Sequence, residues 1–322
     1  MKTTVNRLLI ALAILTFLFY GCNKTYDDEN QINPPNGNST TIIPHVYGVL
    51  PTTPDMVVGI PVFSKELISP RALEELTSRV TLSTPAVRDQ GQIGSCTAFC
   101  GAETDEILYY YRNNSWTDVL SPAFVYYCER VLILKQKITS DNGAYMVDIP
   151  QALQNYGDCI ETLYPYPSSD KSIAYRTAPL QTAITEALNY RIGQSPSSYG
   201  LVATGDVTAV KTLLANNTPV MMGFNVYDNS SYTLFEGLNS TNYTYNPLTS
   251  SGALIKGARL LGGHATPIVG YDDSQAGGAG AFLVENSWGT SWGKAGFFWM
   301  PYTVFQSTKI VPANNCYYAY LN

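Results

Sequence analysis

The hydrophobic pattern of this chain changes from helical to strand-like about halfway along its 322 residues. Over residues 95–156, apolar side chains recur at the three-to-four spacing of helices that bury one face. Later, the pattern becomes short runs rich in Val, Phe, Ile and Tyr, which are typical of strands. These runs cover residues 219–227, 264–271, 281–286 and 296–300. The pattern therefore predicts an α+β fold with a helical N-terminal half and a β-rich C-terminal half.

The first 21 residues have the pattern of an export signal. Lys2 and Arg7 precede an apolar run from Leu8 to Tyr20, which is shorter than the roughly 20 residues of a membrane span and typical of a signal-peptide core. The run is followed by Gly-Cys, which resembles the lipidation site of bacterial lipoproteins. We therefore expect a lipid anchor at Cys22, on the outer membrane or cell surface of a bacterium. The alternative is an ordinary secreted protein in which Cys22 is incidental.

Composition excludes several classes of function. The chain has 25 acidic and 19 basic residues and a net charge of −6. Because it has neither a basic surplus nor a basic run, nucleic-acid binding is not expected. The only histidines are His45 and His264, which leaves no His-rich metal site and no HExxH motif. We expect no metal ion.

One cysteine follows a glycine-rich turn at the predicted start of a helix. The segment reads Gln90-Gly91-Gln92-Ile93-Gly94-Ser95-Cys96-Thr97-Ala98-Phe99. The unpaired N–H groups and the dipole at a helix N-terminus favour a negatively charged sulfur, and a thiolate is the nucleophilic form of cysteine. Most free cysteines are instead small buried apolar residues. This segment alone supports both interpretations equally.

Two later segments carry a histidine and an asparagine on predicted strands. His264 follows Gly262-Gly263 at the start of one strand, and Asn286 ends another within Asn286-Ser287-Trp288-Gly289-Thr290-Ser291-Trp292-Gly293. An amide at the end of one strand can reach an imidazole on the neighbouring strand. A lone histidine on a strand is more often structural, so the pair indicates a catalytic role only together with Cys96.

The three segments together resemble the papain-like cysteine peptidases, whose motifs follow in the order Gln, Cys, His and Asn. Further segments resemble family motifs: Leu120-Ser121 before Cys128, Asn142-Gly143-Ala144-Tyr145 and Tyr164-Pro165-Tyr166. The resemblance runs from about Ser78 to Tyr302. It implies a papain-like fold of two subdomains, with the C-terminal one β-barrel-like and the active-site cleft between them.

This resemblance, together with composition, predicts the organisation of the chain. Residues 1–21 are expected to be a lipoprotein-type signal peptide. Residues 22–77 are expected to be a tether and N-terminal extension, since residues 23–44 are rich in Asp, Asn, Pro and Gly. Residues 78–322 would form the peptidase domain, helical over about 78–190 and β over about 191–322.

The resemblance also implies catalytic roles. Cys96 would be the nucleophile and His264 the general base and acid. Asn286 would orient the imidazole, and the Gln90 side chain would donate to the developing oxyanion. Thiol chemistry of this kind needs no metal or cofactor.

Other residues are implied to bind or support. Gly143 and Ala144 would offer backbone groups to an extended peptide, and Met146 would line the main specificity pocket. Trp288 would shield the His264–Asn286 hydrogen bond. The expected partners are protein or peptide substrates, and the membrane through the anchor at Cys22.

The sequence departs from the family pattern in two ways. Ile93 and Asp141 stand where most members have a disulfide. No long helical pro-segment precedes Gln90, so latency through such a segment is not expected. If Cys22 is lipidated and Cys96 is the nucleophile, four cysteines could pair in three ways. These are Cys100, Cys128, Cys159 and Cys316.

Two alternatives from other classes stay open. A catalytically silent papain-like module could bind peptides at the surface, although it would not need all four catalytic residues. Another thiol hydrolase, such as a cell-wall amidase, is disfavoured by the segment from Asn286 to Gly293. The polar stretch Ser230–Ser251 is expected to be a loop that accounts for the long spacing between Cys96 and His264.

Overall fold

A computed structural model of the chain describes residues 45–116, 118–167 and 176–321. These residues belong to one compact unit. The predicted signal peptide, Cys22 and residues 23–44 of the predicted tether lie outside them. None of the helices in this described part of the chain is long and apolar enough to cross a membrane.

Helices dominate the first half, as the sequence pattern predicts. The α-helices in the described ranges are α1 Pro70–Glu74, α2 Cys96–Asn113, α3 Pro122–Tyr127, α4 Asp148–Asn155, α5 Gln181–Ala187, α6 Val207–Ala215, α7 Gln275–Gly278 and α8 Tyr302–Phe305. A π-helix, Cys128–Ile133, continues α3. Two 3-10 turns, Pro54–Val57 and Lys65–Leu67, lie in the N-terminal extension.

Strands make one mixed sheet, and the predicted α+β class is confirmed. Its strands are β1 Val62–Phe63, β2 Arg79–Thr81, β3 Tyr199–Val202, β4 Val220–Asp228, β5 Arg259–Asp272, β6 Ala281–Glu285, β7 Phe297–Pro301 and β8 Cys316–Ala319. The order is β1-β3-β8-β4-β5-β6-β7, with β2 paired to β5. In this order β1 and β7 are the two ends, so the β-rich half is an open sheet.

Helix α2 is the central element because it is buried on nearly every side. It packs against α3 and α4 on one side and against β5 on the other. Its buried residues include polar ones such as Glu103 and Asp105, so it lacks the single apolar stripe of a surface helix. It ends at Asn114, whose left-handed conformation (φ 51°) is a usual helix terminator.

The connection between β4 and β5 differs from the expected polar loop. Phe235, Leu238 and Tyr245 lie in this connection and are buried in the core beneath the sheet. The Asp228 carboxylate at the end of β4 fixes its first turn, because it accepts hydrogen bonds from the backbone N–H groups of Leu234, Phe235 and Glu236. The many Asn, Ser and Thr residues of this stretch led to the prediction of a polar loop, although its aromatic residues are buried.

Buried carboxyl groups surround one arginine behind α2. Arg88 forms an ion pair with Glu106, with 3.1 Å between Nη2 and Oε2. Glu103 is buried nearby, and its carboxyl oxygens have no hydrogen-bond partner among the described residues. Desolvation raises the pKa of Glu103 to about 8, and it also raises the pKa of Glu285 well above its ordinary range. The carboxyl groups of Glu103 and Glu285 are therefore held largely in the neutral form at neutral pH.

We expect the folded chain to be more stable at pH 5 than at pH 8. The pKa of Glu103 is about 8 when folded, against an ordinary 4.5. Stability from its neutral form is therefore complete below pH 4.5 and lost as pH rises towards 8. Urea unfolding at both pH values measures the difference, and Glu103→Gln should reduce it by on the order of 1–3 kcal/mol.

The exposed Glu74 in α1 supplies the matched control. Glu74→Gln should leave the difference between pH 5 and pH 8 as it is in the wild type. A Glu103→Gln chain with the wild-type pH dependence would contradict the assignment of this effect to Glu103.

Candidate active site

Cys96 is the first residue of α2 and is fully buried. Burial raises the pKa of its thiol to about 11, an effect opposed by the nearby backbone of Gly48 and Ala265. Since Ala265 follows His264 on β5, the sulfur lies close to this part of β5. The preceding Ser95 does not cap the helix with its side chain; its Oγ lies 2.6 Å from the hydroxyl of Tyr166.

His264 and Asn286 are brought together in the core. His264 Nε2 donates to Asn286 Oδ1 over 2.7 Å. The backbone N–H of Ser287 donates to the same oxygen, which identifies that atom as the carbonyl oxygen. Because a carbonyl oxygen only accepts, the Nε2 atom carries the ring proton. The other ring nitrogen, Nδ1, has no hydrogen-bond partner among the described residues and is left as a proton acceptor.

Burial also determines the charge of His264. Desolvation lowers the pKa of its imidazole to about 4, against a weaker opposing effect of the hydrogen bond to Asn286. The aromatic rings of Phe224 and Trp288 lie 5.6 and 5.0 Å away, between ring centroids. In this form of the molecule the imidazole is neutral, and the Cys96 thiol is neutral as well.

The side-chain amide of Gln90 lies beside Ser287, the residue that follows Asn286. Its Oε1 accepts from Ser287 Oγ over 2.7 Å, so the Nε2 hydrogens point the other way. They reach the carbonyl oxygens of Ile93 at 3.0 Å and Val46 at 3.3 Å. Hydrogen bonds thus link His264, Asn286, Ser287 and Gln90 in one chain, whereas no hydrogen bond is recorded between Cys96 and His264 among the described residues.

The loop before Cys96 is held without the family disulfide. The backbone N–H of Gly94 donates to Asp141 Oδ1 over 3.0 Å, and the Tyr126 hydroxyl donates to the same oxygen over 2.6 Å. Tyr166 adds a second restraint by donating to the Gln90 carbonyl oxygen over 2.8 Å. The Asp141 carboxylate therefore ties together the segments that a disulfide would otherwise join.

Residues 45–50 run through the cleft over Cys96, and we call this segment the cleft strand. The N–H of Val49 donates to the carbonyl of Gly263 over 3.0 Å, and the N–H of Leu50 donates to the carbonyl of Ala144 over 2.9 Å. The N–H of Ala144 in turn donates to the carbonyl of Gly48 over 2.9 Å. Between residues 45 and 90, the part before the site that the structure describes, the helices are short, and the cleft is covered by an extended segment instead.

Glycines permit this close approach. A Cβ at Gly48 would lie 1.9 Å from the carbonyl oxygen of Gly94. Facing it across the strand, a Cβ at Gly143 would lie 1.9 Å from the carbonyl oxygen of Gly48. Larger residues at these positions are incompatible with a seated cleft strand.

The predicted peptide-binding residues occupy different positions relative to the cleft strand. Both backbone groups of Ala144 bind the cleft strand, whereas the Gly143 carbonyl accepts from Gln136 Nε2. Met146 is fully buried in the hydrophobic cluster beneath the helices, and Val49 packs against that cluster. Met146 therefore lies below the surface that contacts the strand.

Trp288 and an unpredicted residue, Glu236, form the other end of the cleft. The His45 ring stacks on the Trp288 indole, with 3.7 Å between centroids and 6° between planes. Glu236 accepts hydrogen bonds from His45 and from the hydroxyl of Tyr47. The excess spacing between Cys96 and His264 was the only sequence signal that pointed towards the connection carrying Glu236.

The other cysteines do not form disulfides in the structure. Cys100, Cys128, Cys159 and Cys316 are buried and free, as is Cys96. Within the described ranges, no group of three or more His, Cys, Asp or Glu side chains is arranged to hold a metal ion.

Comparison with known families and sequences gives consistent matches. The family model described as papain family cysteine protease matches residues 74–318. A peptidase C1-like protein of Acanthamoeba polyphaga mimivirus is 29% identical over 255 residues, which covers 77% of this chain and 71% of the relative. Digestive cysteine proteinase 1 of Homarus americanus is 27% identical over 227 residues, and the chain spans 61% of its length.

Solved structures match over most of the chain. Xylellain, a cysteine protease from Xylella fastidiosa, has a TM-score of 0.70 and 28% identity, and the match covers 86% of this chain and 97% of xylellain. Procathepsin B S9 from Trypanosoma congolense has a TM-score of 0.60 at 18% identity and covers 86% of each chain. The second match shows similarity of fold alone.

Gly48→Ala should uncover Cys96. The added Cβ would lie 1.9 Å from the Gly94 carbonyl oxygen, so the cleft strand should be displaced from the cleft. We expect iodoacetamide to alkylate Cys96 at least about tenfold faster at pH 7, which corresponds to roughly 1.4 kcal/mol in the opening equilibrium. Mass spectrometry of the peptide containing Cys96 over time measures the rate.

The control lies in the same N-terminal extension. Val58 is 82% exposed, so Val58→Ala should leave the alkylation rate at the wild-type value. Equal rates for Gly48→Ala and the wild type, with both chains folded by circular dichroism, would contradict the covering role of the strand.

Proposed function

The chain belongs to the papain family of cysteine proteases, as the sequence motifs predicted, and we propose that it hydrolyses peptide bonds with Cys96 as the nucleophile. The observation that carries this proposal is the hydrogen bond from His264 Nε2 to Asn286 Oδ1. This bond leaves Nδ1 as the only ring nitrogen able to take a proton. The next residue on the strand, Ala265, has its backbone close to the Cys96 sulfur.

The proposed reaction proceeds in two stages. His264 takes the proton of the Cys96 thiol, and the thiolate attacks the carbonyl carbon of the peptide bond. The Gln90 amide and the backbone N–H of Cys96 donate to the oxygen as its negative charge develops. His264 then protonates the leaving amine, and it later takes a proton from the water that hydrolyses the thioester.

The cleft strand occupies the backbone groups of Gly263 and Ala144 that line the cleft. Gly48 of this strand lies beside the Cys96 sulfur, and the carbonyl oxygen of Val46 accepts from the Gln90 amide over 3.3 Å. Seated in this way, the strand blocks the cleft and also removes water from Cys96 and His264. We propose that this covered form is latent, and that substrate gains access when the strand leaves.

The alternatives are less well supported. A silent binding module does not require a His264 that is paired with Asn286 and keeps Nδ1 free to accept a proton. A cell-wall amidase is not favoured, because the matching relatives are named peptidases and proteinases.

Cys96→Ala should abolish cleavage. On the opened Gly48→Ala background, a peptide library analysed by mass spectrometry should show cleavage, and a thiol-directed epoxide should form an adduct at Cys96 and stop it. Gln90→Ala should reduce kcat by roughly 10²–10³-fold because one oxyanion donor is lost.

A second buried cysteine controls for effects on folding. Cys316→Ala should retain cleavage, since Cys316 lies on β8. Full activity in Cys96→Ala would overturn the assignment of the nucleophile.

We also propose that the mature chain is exported and attached to a bacterial membrane through lipid on Cys22. The support is the sequence pattern of residues 1–22. Labelled palmitate fed to an expressing bacterium should be incorporated into the wild type and into Cys316→Ala, but not into Cys22→Ala. An unlabelled wild-type chain would refute the anchor.

A further inference from the structure

Glu236 is held in place by groups other than its own side chain. Its backbone N–H donates to Asp228 Oδ2 over 2.8 Å, and its carbonyl accepts from Trp292 Nε1 over 3.2 Å. Because the backbone is fixed from both sides, the side chain is not needed to hold the connection between β4 and β5 in position.

The carboxylate of Glu236 instead binds the cleft strand. It accepts from the backbone N–H of His45 at 3.1 Å, from His45 Nδ1 at 2.7 Å and from the Tyr47 hydroxyl. Within the described ranges, every hydrogen bond recorded for this carboxylate comes from that strand. The side chain is 0% exposed while the strand is seated, and a buried carboxylate requires such donors.

The surroundings of Glu236 favour flat or cationic donor groups. Trp288 offers an indole face, on which the His45 ring is stacked. Phe235 and Trp292 pack around Trp288, with ring centroids 5.2 and 5.3 Å from it. A site with an aromatic face and one carboxylate suits imidazole, guanidinium, ammonium and phenol groups, because each brings an N–H or O–H to the oxygen.

We propose that Glu236 is a specificity-determining residue, which binds a proton-donating side chain (histidine, lysine, arginine or tyrosine) of the substrate at the Trp288 end of the cleft. This inference rests on the proposed peptidase function. The cleft strand displays the interaction within the same chain, because it fills the site with His45 and Tyr47. A peptide that lacks a donor would leave the carboxylate without a partner at this end of the cleft.

The test compares peptide pairs that differ only in the donor. The full chain carrying Gly48→Ala is given peptides with Tyr or Phe, and Lys or norleucine, at each position around the cleaved bond. At one position we expect the donor peptide to have a roughly 10- to 100-fold higher kcat/KM. These ratios do not depend on the fraction of molecules with an open cleft, since both peptides of a pair meet the same enzyme.

Two substitutions of Glu236 then assign the preference. Glu236→Leu should bring both ratios at that position to within about twofold, because leucine offers no acceptor. Glu236→Gln should lose most of the Lys preference and keep part of the Tyr preference, since its amide oxygen still accepts but carries no charge. Glu66→Leu, at an exposed position in the N-terminal extension, should leave both ratios unchanged.

The outcomes separate this inference from the proposed function. Cleavage with the same ratios in Glu236→Leu and its parent would overturn the role of Glu236 and leave the peptidase assignment intact. Cleavage by no variant would instead remove the proposed function. Protection of Cys96 from iodoacetamide by the same peptides would then decide the binding role, and equal protection by donor and non-donor peptides would overturn it. Val49→Asp, which places a charge in an apolar contact, provides a second opened chain if Gly48→Ala does not fold.

Discussion

The arrangement of the site depends on the junction between the N-terminus of α2 and strand β5. Cys96 begins a helix that is buried against other helices on one side and against β5 on the other. Neither element can shift without disturbing a closely packed core. The sulfur is therefore fixed relative to His264, and the hydrogen bonds of Asp141 and Tyr166 hold the loop between Gln90 and Cys96 over the same junction.

Burial at this junction controls the chemistry as well as the geometry. Desolvation raises the pKa of the Cys96 thiol and lowers that of the His264 imidazole, so both effects oppose the charged pair needed for attack. The cleft strand is one source of this desolvation, because Gly48 contacts the sulfur and Tyr47 lies against His264. The strand thus suppresses reactivity electrostatically in addition to blocking access.

The sequence predicted what depends on local pattern and on motifs. The helix starting at Cys96 follows from the apolar spacing and from the glycine-rich turn before it, and the motifs pointed to Gln90, His264 and Asn286. Strand β5 begins earlier than predicted, at Arg259, because the glycine pair before His264 reads as a turn. In the fold, the space left by the missing side chain of Gly262 is filled by the ring of Tyr47.

The cleft strand and Glu236 were not predictable, because their interaction is between residues 191 positions apart. Neither has a distinctive local pattern: residues 45–50 are a mixed extended stretch, and Glu236 lies between Phe235 and Gly237 in a connection that is otherwise rich in Asn, Ser and Thr. Their roles become evident only from their contact in the folded chain. The backbone groups of Ala144 are already used by Gly48 and Leu50, and one such edge cannot pair with two strands at once. A substrate that uses this edge must therefore displace the cleft strand, and at the Trp288 end it meets the carboxylate that the strand has released.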